Sequence, residues 1–316
     1  MNYVITQVAK PQKNTVPQMQ QKSVQNVDSA MNVYLENALV SLASAKQTTP
    51  DAVCILNCNF EIPERYQKTA EAAGVEIHQV PYGKYKSNED FPWSITQYKF
   101  DSMEHAIGLM KEEDCLLMLD TDTVCVQNLD EIFEEAKTGL ILYATHHGYK
   151  QKIRQQMLQN YQKMYGIERK NLVHYGGEFL AGSKAVLSEL LDDCSKAITK
   201  ARETQGLHPW ADEEVFSIAV AEFWHKKIYP ANAYIYRFWT NEFYLVTTNY
   251  YYDPLRIWHL PAEKNYGMVL LYEYFEKNHR FPSMEQMAKM VGMPGTKYKK
   301  WNLYRLKMRI RNKLSH

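Results

Sequence analysis

The sequence predicts an α/β fold in which a mostly parallel, twisted sheet carries helices on both faces, followed by a helical C-terminal extension. Two observations predict this class. Strand and helix patterns alternate through the first 119 residues, and the last strand of that series is a strongly apolar run that suits a buried parallel strand. With 316 residues, the chain is long enough for one sizeable α/β domain and an appendage.

The predicted elements of the first half follow one another as strand and helix in turn. A long polar loop at 9–28, rich in Gln, Asn and Lys and containing two prolines, separates the first strand from the first helix. Apolar residues at helical spacing predict the helices, and short apolar runs predict the strands. The strands are predicted at 4–8, 52–56, 75–80 and 115–119, and the helices at 29–45, 63–73 and 98–110.

The second half is less regular. It carries a predicted strand at 139–144 and predicted helices at 150–165 and 184–202. Aromatic residues cluster between 229 and 252, a pattern that suits mixed strands lining a pocket, although most single rings there are expected in the core. Beyond about residue 266 the helices become rich in Met and basic residues, and we place a soft domain boundary there.

Composition restricts the class of protein. The formal net charge of +1 gives no overall field that would attract nucleic acid. The five cysteines include no Cys-x-x-Cys pair, so we expect buried, reduced thiols in a cytosolic protein. The first residues resemble a strand and not a signal peptide, and no apolar stretch approaches the roughly 20 residues of a membrane-spanning helix. We therefore expect a cytoplasmic protein that is soluble or peripheral to a membrane.

The triplet Asp120-Thr121-Asp122 is the first candidate site. It directly follows the apolar strand at 115–119, and ligands of open α/β sheets bind at the carboxyl ends of such strands. Two carboxylates at this spacing can hold a divalent cation whose other ligands are phosphate oxygens, and the cation neutralises the charge of a leaving diphosphate. The alternative is structural: a strand-end aspartate that caps the next turn, with the other one solvated.

Together, the alternating elements and this triplet resemble the sugar-nucleotide transferases of the GT-A fold over roughly residues 1–267. The resemblance implies a GT-A domain at 1–267 and a basic, helical extension at 268–316. It also implies that Asp120 and Asp122 bind Mn²⁺ or Mg²⁺, with Thr121 beside the nucleotide sugar. A UDP-sugar is the implied donor.

Two segments of the middle of the chain, 174–183 and 210–214, are similar to the retaining transferases of the ABO blood-group type, glycosyltransferase family six. The resemblance places Glu213 beside the anomeric carbon, where a carboxylate stabilises an oxocarbenium-like centre or attacks it. It assigns Asp212 to the hydroxyls of the donor sugar and Trp210 to the acceptor pocket. A structural interpretation also holds, because acidic residues favour the start of a helix.

The same resemblance assigns further residues. Gly177 is expected at the nucleotide sugar, and His174 and Glu178 are expected at the acceptor. Ala211 replaces the family's His and Glu214 replaces its Ser. The first replacement leaves the identity of the acceptor open.

A third segment, 256–267, is similar to the His-x-x-Gly-x-Lys region of the lipopolysaccharide galactosyltransferase type, family eight, although the intervening Gly is absent. The resemblance implies that His259 is the third metal ligand and that Lys264 or Arg256 contacts the diphosphate. A lone His after a strand is, however, more often a structural residue.

Four further residues are assigned to the nucleotide sugar by their positions. Tyr98 and Lys99 lie some twenty residues before the aspartates, where both families place a basic residue for the nucleotide. Ile5 and Thr6 lie in the first predicted strand and are expected to contact the base.

The C-terminal segment 297–316 contains eight Lys or Arg residues and no acidic residue, with Leu and Ile at helical spacing. This composition predicts a basic amphipathic helix on an anionic membrane surface. A solvated or packed tail and a helix-turn-helix-like segment that binds nucleic acid are the alternatives, and the latter is the least favoured.

These resemblances therefore imply a metal-dependent hexosyltransferase that moves galactose, glucose or an N-acetylhexosamine from a UDP-sugar to a glycan or lipid-linked saccharide, with retention, in bacterial surface polysaccharide assembly. An inverting GT-A transferase and a nucleic-acid-binding regulator are the alternatives. A nucleotidyltransferase is a third, but the chain lacks a Gly-rich phosphate loop near the first strand.

Overall fold

The computed structural model describes residues 1–10, 27–86, 92–145, 151–240, 255–293 and Ile310. The strands in this part of the chain are β1 (Asn2–Val8), β2 (Val53–Cys58), β3 (Val75–Gln79), β4 (Cys115–Leu119), β5 (Thr123–Cys125), β6 (Leu140–Ala144), β7 (Tyr175–Ser183), β8 (Ile228–Pro230), β9 (Ile235–Arg237) and β10 (Ile257–His259). The helices are α1 (Val27–Thr48), α2 (Glu64–Ala73), α3 (Tyr98–Leu109), α4 (Asp130–Ala136), α5 (Lys152–Tyr165), α6 (Lys184–Glu203), α7 (Asp212–Phe223), α8 (Gly267–Asn278) and α9 (Met284–Met290).

The strands form two sheets. A mixed, mostly parallel sheet of seven strands has the order β3-β2-β1-β4-β7-β6-β8, and a smaller sheet has the order β5-β10-β9. In the large sheet, β1 and β2 are parallel, with Ile5 opposite Ile55, whereas β6 and β7 are antiparallel. In the small sheet, β10 is antiparallel to β5 and parallel to β9.

The chain divides into two compact units, which we call unit 1 and unit 2. Unit 1 comprises Met1–Asn2, Val80–Met118 and Ile132–Asn232. Unit 2 comprises Tyr3–Gln79, Leu119–Glu131 and Ala233–His316.

Helix α1 is the central helix of unit 2. It packs against β2, β5 and α8, and Leu35, Leu39 and Leu42 on its apolar face are almost completely buried. Helix α2 ends at Gly74, whose φ of 65° lies in the left-handed region that glycine adopts without a steric penalty. This end agrees with the predicted helix at 63–73.

In unit 1, helices α6 and α7 pack against each other and against β7. Strand β7 passes directly into α6, since Ser183 ends the strand and Lys184 begins the helix. Helix α7 begins at Asp212, with three acidic residues in its first turn, where the helix dipole favours negative charge.

The predicted alternation of the first half is confirmed, because each of its seven predicted elements is present within a few residues of its predicted ends. The five cysteines are buried and free, as predicted. Ser283 caps α9, and Gln286 reaches back to it in a capping box. None of the helices in the described part of the chain combines the length and apolar character needed to cross a membrane.

Several predictions fall on residues outside those described: most of the long loop, much of the aromatic region at 241–254, and the basic segment 297–316 apart from Ile310. The boundary at residue 267 also stays a prediction. Helix α8, which begins there, packs against α1 within unit 2.

Candidate functional site

Unit 2 contains a cluster of potential metal ligands, which we call the acidic cluster: Asp120, Asp122 and His259. One ligand atom from each of the three lies within 4.8 Å of the others. Asp120 follows the last residue of β4, Asp122 precedes β5, and His259 ends β10. Asp120 is half-buried, whereas the side chains of Asp122 and His259 are 2% and 5% exposed. Within the described residues, this is the one group of its kind.

The small sheet of unit 2 assembles this cluster. Strands β5 and β10 pair so that His259 lies opposite Thr123, the residue after Asp122. The backbone N–H of Leu260 donates to the Asp122 carbonyl at 2.8 Å. As a result, the His259 Nε2 lies 3.1 Å from Asp122 Oδ2, across 137 positions of sequence.

Lys264 adds a positive charge to the acidic cluster, with its Nζ 3.1 Å from Asp122 Oδ2. Burial alone would raise the pKa of Asp122, but the charges of Lys264 and His259 outweigh burial and hold this pKa far below its usual range. Burial is the largest single effect on Lys264 and lowers its pKa, but the combined effects of Asp122, Tyr34 and Asp120 outweigh burial and hold this pKa above its ordinary value. Both groups are therefore charged at neutral pH.

Helix α1 holds the backbone around the acidic cluster with buried polar side chains. Asn37 donates from Nδ2 to the Lys264 carbonyl at 3.1 Å. The hydroxyls of Ser41 and Thr123 lie 2.7 Å apart. Asn37 and Ser41 are completely buried, so these bonds form away from competing water.

The predicted base-binding residues lie on β1, also in unit 2. Ile5 and Thr6 are completely buried. Among the described residues, the Thr6 Oγ1 has no hydrogen-bond partner. Thr121, between the two aspartates, is 8% exposed.

A second cluster lies in unit 1 and is built around a buried ion pair. Lys99 Nζ lies 2.6 Å from Asp212 Oδ2, and the two side chains are 3% and 6% exposed. Lys99 also donates to the Gly177 carbonyl at 2.5 Å. A Cβ at position 177 would overlap with both the carboxylate of Asp212 and the ammonium of Lys99, so the pair requires glycine there.

Glu213 is the more accessible carboxylate of this cluster, with a side chain that is 26% exposed. Its Oε2 lies 3.0 Å from Nε2 of the buried His174, and its Oε1 lies 3.4 Å from the Gly177 backbone N–H. The Ser217 hydroxyl donates to the Glu213 carbonyl at 2.7 Å. His174 and the Gly177 N–H therefore lie next to the carboxylate, whereas Ser217 binds the backbone of Glu213 in the first turn of α7.

Glu214 has a structural position at the start of α7. Its Oε2 accepts a hydrogen bond from the Ala211 backbone N–H at 2.8 Å, which satisfies one of the donors at the start of the helix. Burial raises the pKa of Glu214 to about 7, and the neighbouring Glu213 carboxylate adds to the increase.

The remaining predicted residues of unit 1 are mostly buried. Tyr98 is 1% exposed and donates from its hydroxyl to the Val80 carbonyl at 2.8 Å. Glu178 is completely buried in β7. Trp210 is half-exposed and lines an apolar cavity of about 10 Å³ together with Met164, Ala201, Leu207, Val215 and Ile218.

Comparison with known proteins identifies the fold. No protein-family model matches the sequence, and no curated protein matches it significantly. The galactosyltransferase LgtC, solved in complex with donor and acceptor sugar analogues, aligns with a TM-score of 0.51 at 12% identity, over 82% of this chain and 86% of that chain. This chain has the GT-A fold. An active-site mutant of LgtC matches with a TM-score of 0.49 at 13% identity, over the same shares of both chains.

At this level of identity the similarity concerns the fold, and it confirms the predicted fold class. LgtC is a family-eight GT-A galactosyltransferase. The family-six resemblance of the middle segments stays a prediction, and so do the individual roles assigned to the site residues.

The sequence did not predict that polar residues of α1 support the acidic cluster. Asn37 and Ser41 lie one turn apart in a helix whose other residues gave an ordinary amphipathic pattern. Polar residues at helical spacing on an otherwise apolar face were the available signal.

Proposed function

We propose that this chain is a metal-dependent glycosyltransferase that moves a hexose from a UDP-sugar to a saccharide or lipid-linked saccharide acceptor, with retention at the anomeric carbon. The observation that carries the proposal is the acidic cluster on a GT-A fold. Two strand-end aspartates, a histidine 137 positions away from the second aspartate and a lysine cation come together in unit 2.

The donor atoms of the acidic cluster suit Mn²⁺ or Mg²⁺. Asp120 and Asp122 offer carboxylate oxygens, and His259 offers an imidazole nitrogen, which favours Mn²⁺ over a purely oxygen-binding ion. When bound, such an ion would neutralise charge on the leaving diphosphate.

In this proposal, Lys264 binds the diphosphate of the donor and Asn37 supports Lys264. The Lys264 ammonium lies beside Asp122 and would bind a phosphate oxygen of the donor when the site is loaded. Its backbone is fixed by Asn37, which keeps the ammonium in place before the donor arrives.

In unit 1, the ordered carboxylates are assigned to the donor sugar. Asp212 is held by Lys99 and would accept hydrogen bonds from sugar hydroxyls. Glu213, oriented by His174 and the Gly177 N–H, would stabilise positive charge at the anomeric carbon or form a bond to it. If Glu213 forms a bond to the anomeric carbon, the acceptor would displace it from the face that the diphosphate has left, and the two inversions give retention. If Glu213 only stabilises charge, retention requires the acceptor to attack that same face.

Donor hydrolysis and transfer with a panel of nucleotide sugars provide the first test. We expect turnover with a UDP-hexose and Mn²⁺, loss of turnover on addition of EDTA, and a fall of about a hundredfold or more in kcat for Asp122→Asn. Asp130→Asn is the matched control, because Asp130 is an exposed aspartate of unit 2 outside the acidic cluster. Full metal-dependent turnover by Asp122→Asn would refute the assignment of the metal site.

Product stereochemistry provides the second test. NMR of the glycosidic linkage should show the anomeric configuration of the donor. An inverted product would support the inverting GT-A alternative and remove the role of Glu213 as a nucleophile. The acceptor, the cytoplasmic location and membrane binding through 297–316 stay predictions.

A further inference from the structure

Ser217 is a buried serine of α7 whose hydroxyl makes two hydrogen bonds. The hydroxyl donates to the Glu213 carbonyl at 2.7 Å, four residues earlier in the same helix. It also accepts from the Tyr175 backbone N–H at 2.9 Å, at the first residue of β7. Ser217 is 1% exposed, so both bonds form away from competing water. One hydroxyl therefore links the first turn of α7 to the start of β7 within unit 1.

The bond between Ser217 and Tyr175 is the less ordinary of the two. A serine hydroxyl often bonds to the carbonyl four residues earlier in a helix, and Ser188 does so in α6 at 2.8 Å, on an exposed turn. The bond from Tyr175 has no such local origin, because it joins residues 42 positions apart. A shielded N–H without an acceptor is costly, so loss of the Ser217 hydroxyl would favour a shift of α7 relative to β7.

The two backbone groups that Ser217 binds lie on either side of a side-chain contact. Tyr175 follows His174 in the chain, and the His174 Nε2 lies 3.0 Å from Glu213 Oε2. The contacts therefore close a ring that runs from His174 along the chain to Tyr175, through Ser217 to the Glu213 backbone, and through the Glu213 side chain back to His174. The His174 carbonyl accepts from the Thr145 N–H at 2.9 Å, which ties this ring to the end of β6.

We propose that Ser217 is a positioning residue, whose hydroxyl holds Glu213 beside His174 and so sets where this carboxylate lies during sugar transfer. The proposal rests on the proposed function and adds a residue to its unit 1 cluster. Asp212 has an anchor of its own, because Lys99 pairs with it at 2.6 Å. Ser217 therefore affects Glu213, which is assigned to the anomeric carbon, and leaves Asp212, which is assigned to the hydroxyls of the donor sugar.

Removal of the hydroxyl in Ser217→Ala and Ser217→Cys provides the test. Cysteine nearly keeps the volume of serine, but its thiol bonds weakly, so it reports on the bonds even if alanine prevents folding. In turnover of a UDP-hexose with Mn²⁺ by the full chain, we expect kcat to fall about tenfold in both variants, because a displaced catalytic group loses rate steeply. The donor KM should stay within twofold, since the Lys99–Asp212 pair is unchanged. Ser188→Ala, which removes the same helical bond from an exposed serine, should change neither constant.

NMR of the full chain with ¹⁵N-labelled histidine observes the contact between His174 and Glu213 without turnover. The His174 ring signal is assigned by its loss in His174→Gln. Glu213→Gln should shift this signal, because the carboxylate 3.0 Å away becomes a neutral amide. We expect Ser217→Ala and Ser217→Cys to shift the same signal and Ser188→Ala to leave it in place.

The outcomes separate the two proposals. If the wild type turns over no nucleotide sugar, the proposed function fails and with it the role in transfer, whereas the histidine signal still decides whether Ser217 holds the contact. If the wild type is active and the Ser217 variants keep its kcat, or if their donor KM rises as much as kcat falls, the positioning role alone is refuted. An unchanged His174 signal in both variants would also refute it, because the carboxylate would then keep its place without the hydroxyl.

Discussion

The buried ion pair between Lys99 and Asp212 allows a quantitative test of how unit 1 holds its carboxylates. The perturbation is Lys99→Met, which keeps an unbranched side chain and removes the ammonium. Lys99 and Asp212 lie 2.6 Å apart with 3% and 6% exposed side chains, so water cannot replace the lost cation. The Gly177 carbonyl loses its 2.5 Å hydrogen bond in the same step.

The expected loss follows from this burial. Removing one partner of a buried pair costs about 3–5 kcal/mol, because the remaining charge stays desolvated. We expect Lys99→Met to lose about 4 kcal/mol of unfolding free energy at pH 7. The loss should shrink in acid, since protonation of Asp212 removes the uncompensated charge. In the double variant Lys99→Met/Asp212→Leu, we expect a loss of only about 1 kcal/mol, because no buried charge remains.

Urea unfolding followed by tryptophan fluorescence, at pH 7 and pH 4, provides the measurement. Lys184→Met is the matched control: its partner Glu112 lies 3.0 Å away, but the side chains are 26% and 79% exposed. Such a surface pair contributes less than about 1 kcal/mol. The reasoning is refuted if Lys99→Met resembles the control, or if the double variant loses as much as the single one.

Three further predictions follow from other contacts. Gly177→Ala should lower the unfolding free energy by about 2–4 kcal/mol in urea, because its Cβ overlaps with Asp212 and Lys99; Gly108→Ala, with open space around its Cβ, should change it by less than about 1 kcal/mol. The pKa of Glu214 is about 7 in the folded state, above its ordinary value of 4.5, so its contribution to stability is present at pH 4 and falls by up to about 3 kcal/mol by pH 8. Glu214→Gln should flatten this part of the curve of unfolding free energy against pH, and an unchanged slope would contradict the assignment. Asn37→Ala should weaken UDP binding at saturating Mn²⁺ about tenfold by calorimetry, because Asn37 positions Lys264, the proposed phosphate contact; Asn278→Ala, on an exposed turn of α8, should leave it unchanged.

Local patterns predicted much of the fold because each pattern is contained in a few neighbouring residues. Strand β4 has the predicted bounds, and α2 ends at the predicted position, residue 73. The small sheet escaped prediction, since β5, β9 and β10 are three residues long each and their pairing depends on distant parts of the chain. Three-residue strands carry too little periodicity to be recognised.

The candidate site was also predicted only in part from the sequence. Asp120 and Asp122 were predicted as ligands because they follow an apolar strand, and His259 was predicted from a resemblance; the structure brings the three together. The pairing of Lys99 with Asp212 spans 113 positions, and no local pattern could indicate it. Sequence reasoning assigned Lys99 to the nucleotide. That role stays a prediction beside the observed pair.

The small sheet has a consequence for how the protein acquires its site during synthesis. Asp122 leaves the ribosome 137 residues before His259, and their contact closes a loop of that length. Because long loops are closed late, we expect the acidic cluster to form after the β1–β3 core of unit 2 has folded. A nascent chain that ends before residue 255 holds both aspartates without His259 or Lys264. Competence to hold a cation would therefore arise in one late step of folding.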